Sequence, residues 1–380
     1  IIIDMKYLCH NAFTGLDISP EGYLKPCCKF KHEGEELFNI KDGIKAYKES
    51  DWLKNLQAEF IAGKKPKGCS RCWKQERAGV KSKRQLDYDR HKIHFDKVDL
   101  KDPTFQNISF AFGNICNLAC RICDPGASSR WATELGKIDK KKYPIYRWFQ
   151  NKNIMKDIVD HTKEAIHLDV PGGEPLLLDI KEHYQYLEQL IKNGRADQIS
   201  LHYTTNGTNY PDSDQLTIWR KFKEIDIQIS VDDIEERFEY NRWPAKWSQV
   251  YENLKKYQML SKNNQQIRLS LSFTVSAFTI LYADRFYKWC IRQGLPAPWL
   301  GVVDTPVHYR PSIYPENSKQ KIDSILASSK IREIKKLRDI LKYNDKGHYA
   351  TFISKIKQFD QIRKQSFQDT FPELAEIIKF

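Results

Sequence analysis

The chain has 380 residues, 62 Lys+Arg against 49 Asp+Glu, and nine cysteines. Hydrophobic residues at 41% and aromatics at 12% are enough for a real core, which excludes wholesale disorder. No run of about 18 apolar residues exists, so no segment is expected to span a bilayer and no membrane partner is expected.

The opening Ile1-Ile2-Ile3-Asp4 lacks a positive n-region and a long apolar stretch, so it does not read as a secretory signal. With no initiator Met, residue 1 reads as a fragment boundary. A lysine-rich chain without an export signal is expected to be cytoplasmic, where thiols stay reduced. The odd cysteine count agrees, since it argues against a fully paired disulfide framework.

Residues 1–100 are Lys- and Gly-rich, with a helical segment near Trp52–Ala62 and no strand–helix rhythm. They read as a small separate domain. From Gln106 onward strands and helices alternate. Strands are predicted at Ile108–Ala111, Ala165–Val170, Ile199–Tyr203, Ile225–Val231, Ile267–Val275 and Trp299–Val303, each short and rich in β-branched or aromatic residues. Amphipathic helices are predicted over Ile180–Lys192, Trp247–Leu260 and Tyr282–Gln293. Alternation of this kind implies parallel strands with helices outside, and six such units make a partial (β/α)6 barrel over 101–312. Active sites of βα barrels sit at the C-terminal ends of the strands. Residues 313–380 read as a helical extension, with Ile322, Ile325, Leu326, Ile334, Leu337 and Leu341 at helical spacing and a break at Gly347.

The cysteines are grouped. Cys9, Cys27, Cys28, Cys69 and Cys72 fall in the first fifth of the chain; Cys116, Cys120 and Cys123 form a tight set; Cys290 stands alone and reads as a small buried hydrophobe. After the first barrel strand, Cys116-Asn-Leu-Ala-Cys120-Arg-Ile-Cys123 gives a C-x3-C-x2-C spacing. Three soft thiolates on one loop suit an iron–sulfur cluster, zinc or copper(I). A cubane bound by three cysteines keeps one iron open to a small molecule. A zinc site completed by a distant His is the competing reading. The next strand ends carry Pro171-Gly172-Gly173-Glu174-Pro175, then Thr204-Thr205-Asn206-Gly207-Thr208, then Ser230-Val231-Asp232-Asp233. Each is an ordinary turn or cap when taken singly; all four in this order at consecutive strand ends are specific.

Together these motifs make the chain, over about residues 104–310, resemble a radical S-adenosylmethionine (SAM) enzyme. The resemblance implies that Cys116, Cys120 and Cys123 ligate a [4Fe–4S] cluster whose open iron is chelated by SAM. It implies that Gly172, Gly173 and Glu174 of the GGEP element recognise the methionyl ammonium. Asn206 and Gly207 match the TNG element, and Ser230 and Asp232 the S-x-D element near the SAM ribose and carboxylate. Ile122 stands where an aromatic is common and offers an apolar surface for adenine. The implied chemistry is reduction of the SAM sulfonium, cleavage of its C5′–S bond, and hydrogen abstraction from substrate by a 5′-deoxyadenosyl radical. A reductant such as flavodoxin or ferredoxin is the implied partner.

Among the amino-terminal cysteines, Pro20-Glu21-Gly22-Tyr23 reads as a hairpin turn that brings Cys9 and Cys27 together, and Cys69-Ser-Arg-Cys72 supplies a C-x2-C pair. Spacing alone does not separate a zinc knuckle from a cluster. The C-x12-G-x4-C and C-x2-C arrangement, with Cys69 to Gly79, resembles the SPASM or shorter twitch auxiliary-cluster module. That implies a second [4Fe–4S] cluster on Cys9, Cys27, Cys69 and Cys72, with Cys28 and Cys290 left over. Such modules usually follow the barrel; here it precedes it.

The net charge of +13 and pI near 9.1 fit acidic partners such as RNA, nucleotides or an acidic peptide, and equally fit simple solubility. Asp304 to Arg310 and Arg242 are candidate contacts to substrate or SAM, or structural. Three functions follow: a radical SAM enzyme maturing a peptide; the same chemistry on a nucleotide, RNA base or sugar; or a zinc-stabilised basic RNA-binding protein without enzymatic activity.

Overall fold

The structure is a computed structural model that describes residues 7–32, 37–77, 79, 81–177 and 180–380. Ile1–Asp4, read above for a signal, and Ala78, within the Cys69–Gly79 stretch, lie outside the described residues. The fold is α/β. Its strands are β1 (Gly15–Ile18), β2 (Leu24–Lys25), β3 (Asn107–Phe110), β4 (His167–Val170), β5 (Ser200–Thr205), β6 (Glu224–Ser230), β7 (Ile267–Val275) and β8 (Trp299–Val302). They form a mostly parallel sheet in the order β2-β1-β3-β4-β5-β6-β7-β8, the sheet of a partial barrel. Strands β3 to β8 fall within two residues of the six predicted.

Strands β1 and β2 flank the hairpin turn expected at Pro20–Tyr23, but their place in the main sheet was not foreseen. They form the hairpin that the Pro20–Gly22 turn closes, with Asp17 opposite Lys25. β1 also pairs in parallel with β3, in the register Gly15↔Asn107 to Ile18↔Phe110. A four-residue strand is too short to show a period, and its parallel partner lies some ninety residues downstream, so nothing local announces the pairing.

The chain divides into two compact units. The first comprises the residues up to Ile115, Pro144–Tyr203 and Pro211–Ile225; the second comprises Cys116–Tyr143, Thr204–Tyr210 and Asp226–Phe380. In the first, strand alternation buries Leu16, Ile108, Phe110, Leu168 and Leu201 on one face. The helix Lys181–Lys192 covers part of that face, with Tyr186 edge-on to Phe110 at 5.2 Å. In the second, Ile227 and Ile229 of β6 alternate with half-buried polar residues, and the helix Trp247–Asn263 buries Val250, Leu254 and Tyr257 at helical spacing. The tail folds as helices, among them Glu316–Ser328 and Tyr349–Arg363. Phe278, Phe352, Phe367 and Phe371 form its aromatic core. No helix among the described residues is long and apolar enough to cross a membrane.

His183 in the first unit is fully buried, its Nε2 2.8 Å from the Tyr203 hydroxyl, and burial pushes its pKa down from 6.5 to about 3. The folded protein keeps the ring neutral, whereas the unfolded chain takes up a proton below pH 6.5. His183 therefore contributes fully above that value and costs stability as pH falls, by about 1.4 kcal/mol per unit. Urea midpoints between pH 7 and pH 5 should drop by the equivalent of about 2 kcal/mol more in wild type than in His183→Gln. An equal drop in both would refute the assignment.

Candidate iron–sulfur and S-adenosylmethionine site

The segment Cys116–Cys123 follows β3 and is held mostly by backbone. Leu118 N–H donates to Cys116 Sγ at 3.5 Å, Cys116 N–H to Ser129 Oγ at 3.2 Å, and Cys123 N–H to the Cys120 carbonyl at 2.9 Å. Ala119 and Arg121 N–H groups donate to the carbonyls of Trp243 (2.8 Å) and Asn241 (2.7 Å). Trp131 Nε1 donates to the Cys120 carbonyl at 2.6 Å, and Ser128 Oγ to that of Leu118 at 2.6 Å.

The anchor of this loop is Arg121, between the second and third cysteines of the set. Its side chain is fully buried, with Nη2 2.6 Å from Asp360 Oδ1 and 2.9 Å from Gln365 Oε1, and its guanidinium lies 4.0 Å from the Tyr240 ring centroid. Asp360 is held in turn: Tyr240 Oη donates to Oδ1 (2.7 Å) and Phe367 N–H to Oδ2 (2.7 Å). Beside it Ala119, Trp131 and Phe359 form a small apolar cluster against which Cys123 and Trp243 pack. Arg363 forks onto Glu134 with two contacts of 2.9 Å. The tail thus clamps the cysteine loop. Sequence reading assigned no role to Arg121 or Asp360; the one signal was an Arg inside the motif.

The three thiols interact electrostatically. Burial, then Cys120 and Cys116, push the Cys123 thiol well above its usual range, and burial raises Cys120 while Arg242 pulls it down. Three half-buried thiolates on one loop are costly together unless a cationic centre binds them, so this donor set fits a thiolate-ligated cluster. Among the described residues, no group of His, Cys, Asp or Glu is arranged to hold a single metal ion. Ile122 is half-buried.

The other motif residues lie as follows. Gly173 has φ +54°, and a Cβ there would sit 2.5 Å from the Ile115 carbonyl oxygen, which also accepts the Glu174 N–H at 2.7 Å. Only glycine fits so close a backbone approach. Glu174 is buried and its Oε1 accepts from Leu176 N–H at 3.0 Å. Asn206 donates to Asn117 Oδ1 (2.9 Å) and accepts from the Thr208 amide (2.9 Å) and hydroxyl (2.6 Å), while Asn117 Nδ2 donates to Thr208 Oγ1 (2.9 Å). The Thr-Asn-Gly turn is thereby tied to the residue after Cys116. Gly207, at φ +74°, carries no Cβ where one would meet Ile229 at 2.8 Å.

Ser230 ends β6. Asp232 is buried; its Oδ2 lies 2.7 Å from Arg242 Nη2 and its Oδ1 accepts Thr274 N–H at 2.8 Å. Arg242 also feels Cys120 and Cys123. Asp233 holds a φ of +148°, unusual for a residue with a side chain, fixed by Arg237 (2.7 Å) and Ile234 N–H (2.8 Å). Arg310 folds back on Asp304 within its own loop (2.8 Å).

In the first unit, burial, then Cys72, raise the Cys9 thiol to about 12. Cys27 interacts with Cys9, and Cys69 with Cys9 and Cys72. Cys28 instead interacts with Lys83, Asp17 and Asp169, although Cys27 also feels it. Cys290 is buried in the helix Ala283–Arg292.

Residues 110–271 match the Radical SAM superfamily. That stretch runs from the end of β3 into β7 and contains all four motifs. Residues 110–271 thus read as a radical SAM domain. No curated protein matches the sequence. Among solved structures it is similar to anSMEcpe with bound AdoMet, at 15% identity over 57% of this chain and 59% of that one, TM-score 0.41. It is also similar to Streptococcus suis SuiB bound to S-adenosylmethionine, at 12% identity over 83% of this chain and 68% of that one, TM-score 0.37. The match spans about three-fifths of the anSMEcpe chain.

Removing the anchor should loosen the loop. Asp360→Ala leaves Arg121 charged and buried, which costs about 3–5 kcal/mol. Anaerobic unfolding should show that loss together with reduced iron per chain. Unchanged stability and iron content would show that the pair does not hold the loop.

Proposed function

We propose that this chain reductively cleaves SAM and uses the product radical to remove a hydrogen atom from a peptide. The observation that carries the reading is the placement of Cys116, Cys120 and Cys123 on one braced loop, with Cys123 feeling the other two, inside the stretch that matches the Radical SAM superfamily. When bound, the cluster and SAM supply one-electron cleavage of a carbon–sulfur bond and with it a hydrogen-atom abstractor. The chain's residues have separate tasks. Cys116, Cys120 and Cys123 hold three irons. The bare backbone at Gly172–Gly173 and the Glu174 carboxylate would receive the methionyl ammonium, while Asn206 and Gly207 shape the turn beside Asn117. Asp232 and Ser230 would face the SAM ribose, with Arg242 fixing Asp232. Ile122 would pack on adenine.

The peptide substrate rests on the twitch-like stretch Cys69 to Gly79, and Cys9, Cys27, Cys69 and Cys72 are proposed to hold an auxiliary [4Fe–4S] cluster. A flavodoxin- or ferredoxin-type protein in the cytoplasm would supply the electrons. A nucleotide-like substrate is the second reading, with which the net charge of +13 is compatible.

Anaerobic protein with dithionite and SAM should yield 5′-deoxyadenosine well above a Cys116→Ala control. Yield equal to the control would end both enzyme readings. Iron and sulfide analysis should give about eight irons per chain, two cubanes, and about four in Cys69→Ala. Colourless protein with zinc would support the RNA-binding alternative, and about four irons in both forms would remove the auxiliary cluster.

A further inference from the structure

The face of the first-unit strands opposite their apolar side carries an in-register polar layer. Asp17 on β1 lies beside Ser109 on β3, Ser109 beside Asp169 on β4, and Asp169 beside His202 on β5. Interior layers of βα barrels are usually filled by branched apolar side chains. Here the same positions hold carboxylate, hydroxyl, carboxylate and imidazole, and buried polar groups cost free energy unless something pairs with them.

The layer's charges do not cancel. Asp17 pairs with Lys25 at 3.4 Å, and Asp87, at its edge, pairs with Lys83 at 2.9 Å and accepts from Asn11 at 2.6 Å. Asp169 has no ion-pair partner among the described residues, and its Oδ1 is buried without a hydrogen-bond partner. Two residues back on the same face, His167 is 8% exposed and its Nδ1 also has no partner among the described residues. Burial raises the Asp169 carboxyl above its ordinary range, with His202 and Lys83 pulling it back. The exposed Cys28 thiol interacts electrostatically with Lys83, Asp17 and Asp169.

We propose that this layer is a substrate subsite that takes a cationic group, an ammonium or guanidinium, on the Asp169 carboxylate, with the Ser109 hydroxyl on the neighbouring strand beside it. The proposal rests on the peptide reading and sharpens it: the peptide would present a lysine, an arginine or its amino terminus here. A carboxylate with an unfilled acceptor gains a charge-assisted hydrogen bond from such a group.

Cys28 is the exposed thiol among the nine and reports occupancy. Anaerobic cluster-loaded protein without SAM is titrated with agmatine, and iodoacetamide labelling of Cys28 is followed by peptide mass mapping. Agmatine should protect Cys28 saturably, and neutral pentanol should not. Asp169→Asn should raise the half-protecting agmatine concentration about tenfold, the size expected for one lost charged contact. No protection, equal protection by pentanol, or an unchanged midpoint in a folded Asp169→Asn would each overturn the proposal. The wild-type comparison of the two probes decides even if the variant does not fold. With no SAM present, the result is independent of whether SAM is cleaved.

Discussion

The buried ion pair between Arg121 and Asp360 is the constraint on which the cysteine loop depends. Leu118 and Ala119 bury apolar surface in the loop, but thiols that repel one another when ionised work against its shape. Arg121 supplies the missing rigidity by reaching from the loop to Asp360 and Gln365 of the tail, with its guanidinium over the Tyr240 ring. A buried pair of this kind adds little net stability compared with apolar packing, but it is costly to break. Its value lies in geometry, because the guanidinium has one place to go.

The same logic recurs around the loop. Asn117, next to Cys116, is locked to Asn206 and Thr208, so one turn fixes another through amide hydrogen bonds. Arg242 is shared between Asp232 and the field of Cys120 and Cys123. Asn206 and Asp232 are thus each held by a side chain outside their own motif element. Positioning of this kind is what a reactive centre requires, since small displacements of reacting groups cost large factors in rate.

Much of this was legible in the sequence. The six barrel strands show themselves because β-branched alternation and flanking turns are local signals, and the cysteine loop shows itself by spacing. What was hidden is long-range. Arg121 and Asp360 are 239 residues apart, so the tail read only as a charged helical extension. β1 is four residues long and finds its partner across the whole amino-terminal segment. The polar layer of Asp17, Ser109, Asp169 and His202 exists only once strand register is known, because no two of its members are near in sequence. The +13 charge told little about the site, whose informative charges are the few that are buried.

The central claim is that Cys116, Cys120 and Cys123 hold a cluster with one iron open to SAM. Electron paramagnetic resonance of the dithionite-reduced protein tests it directly. Addition of SAM should change the reduced-cluster signal in wild type and in Cys69→Ala, and Cys116→Ala should show no SAM-dependent change. A wild-type signal indifferent to SAM, or one that persists and responds equally in Cys116→Ala, would contradict the account.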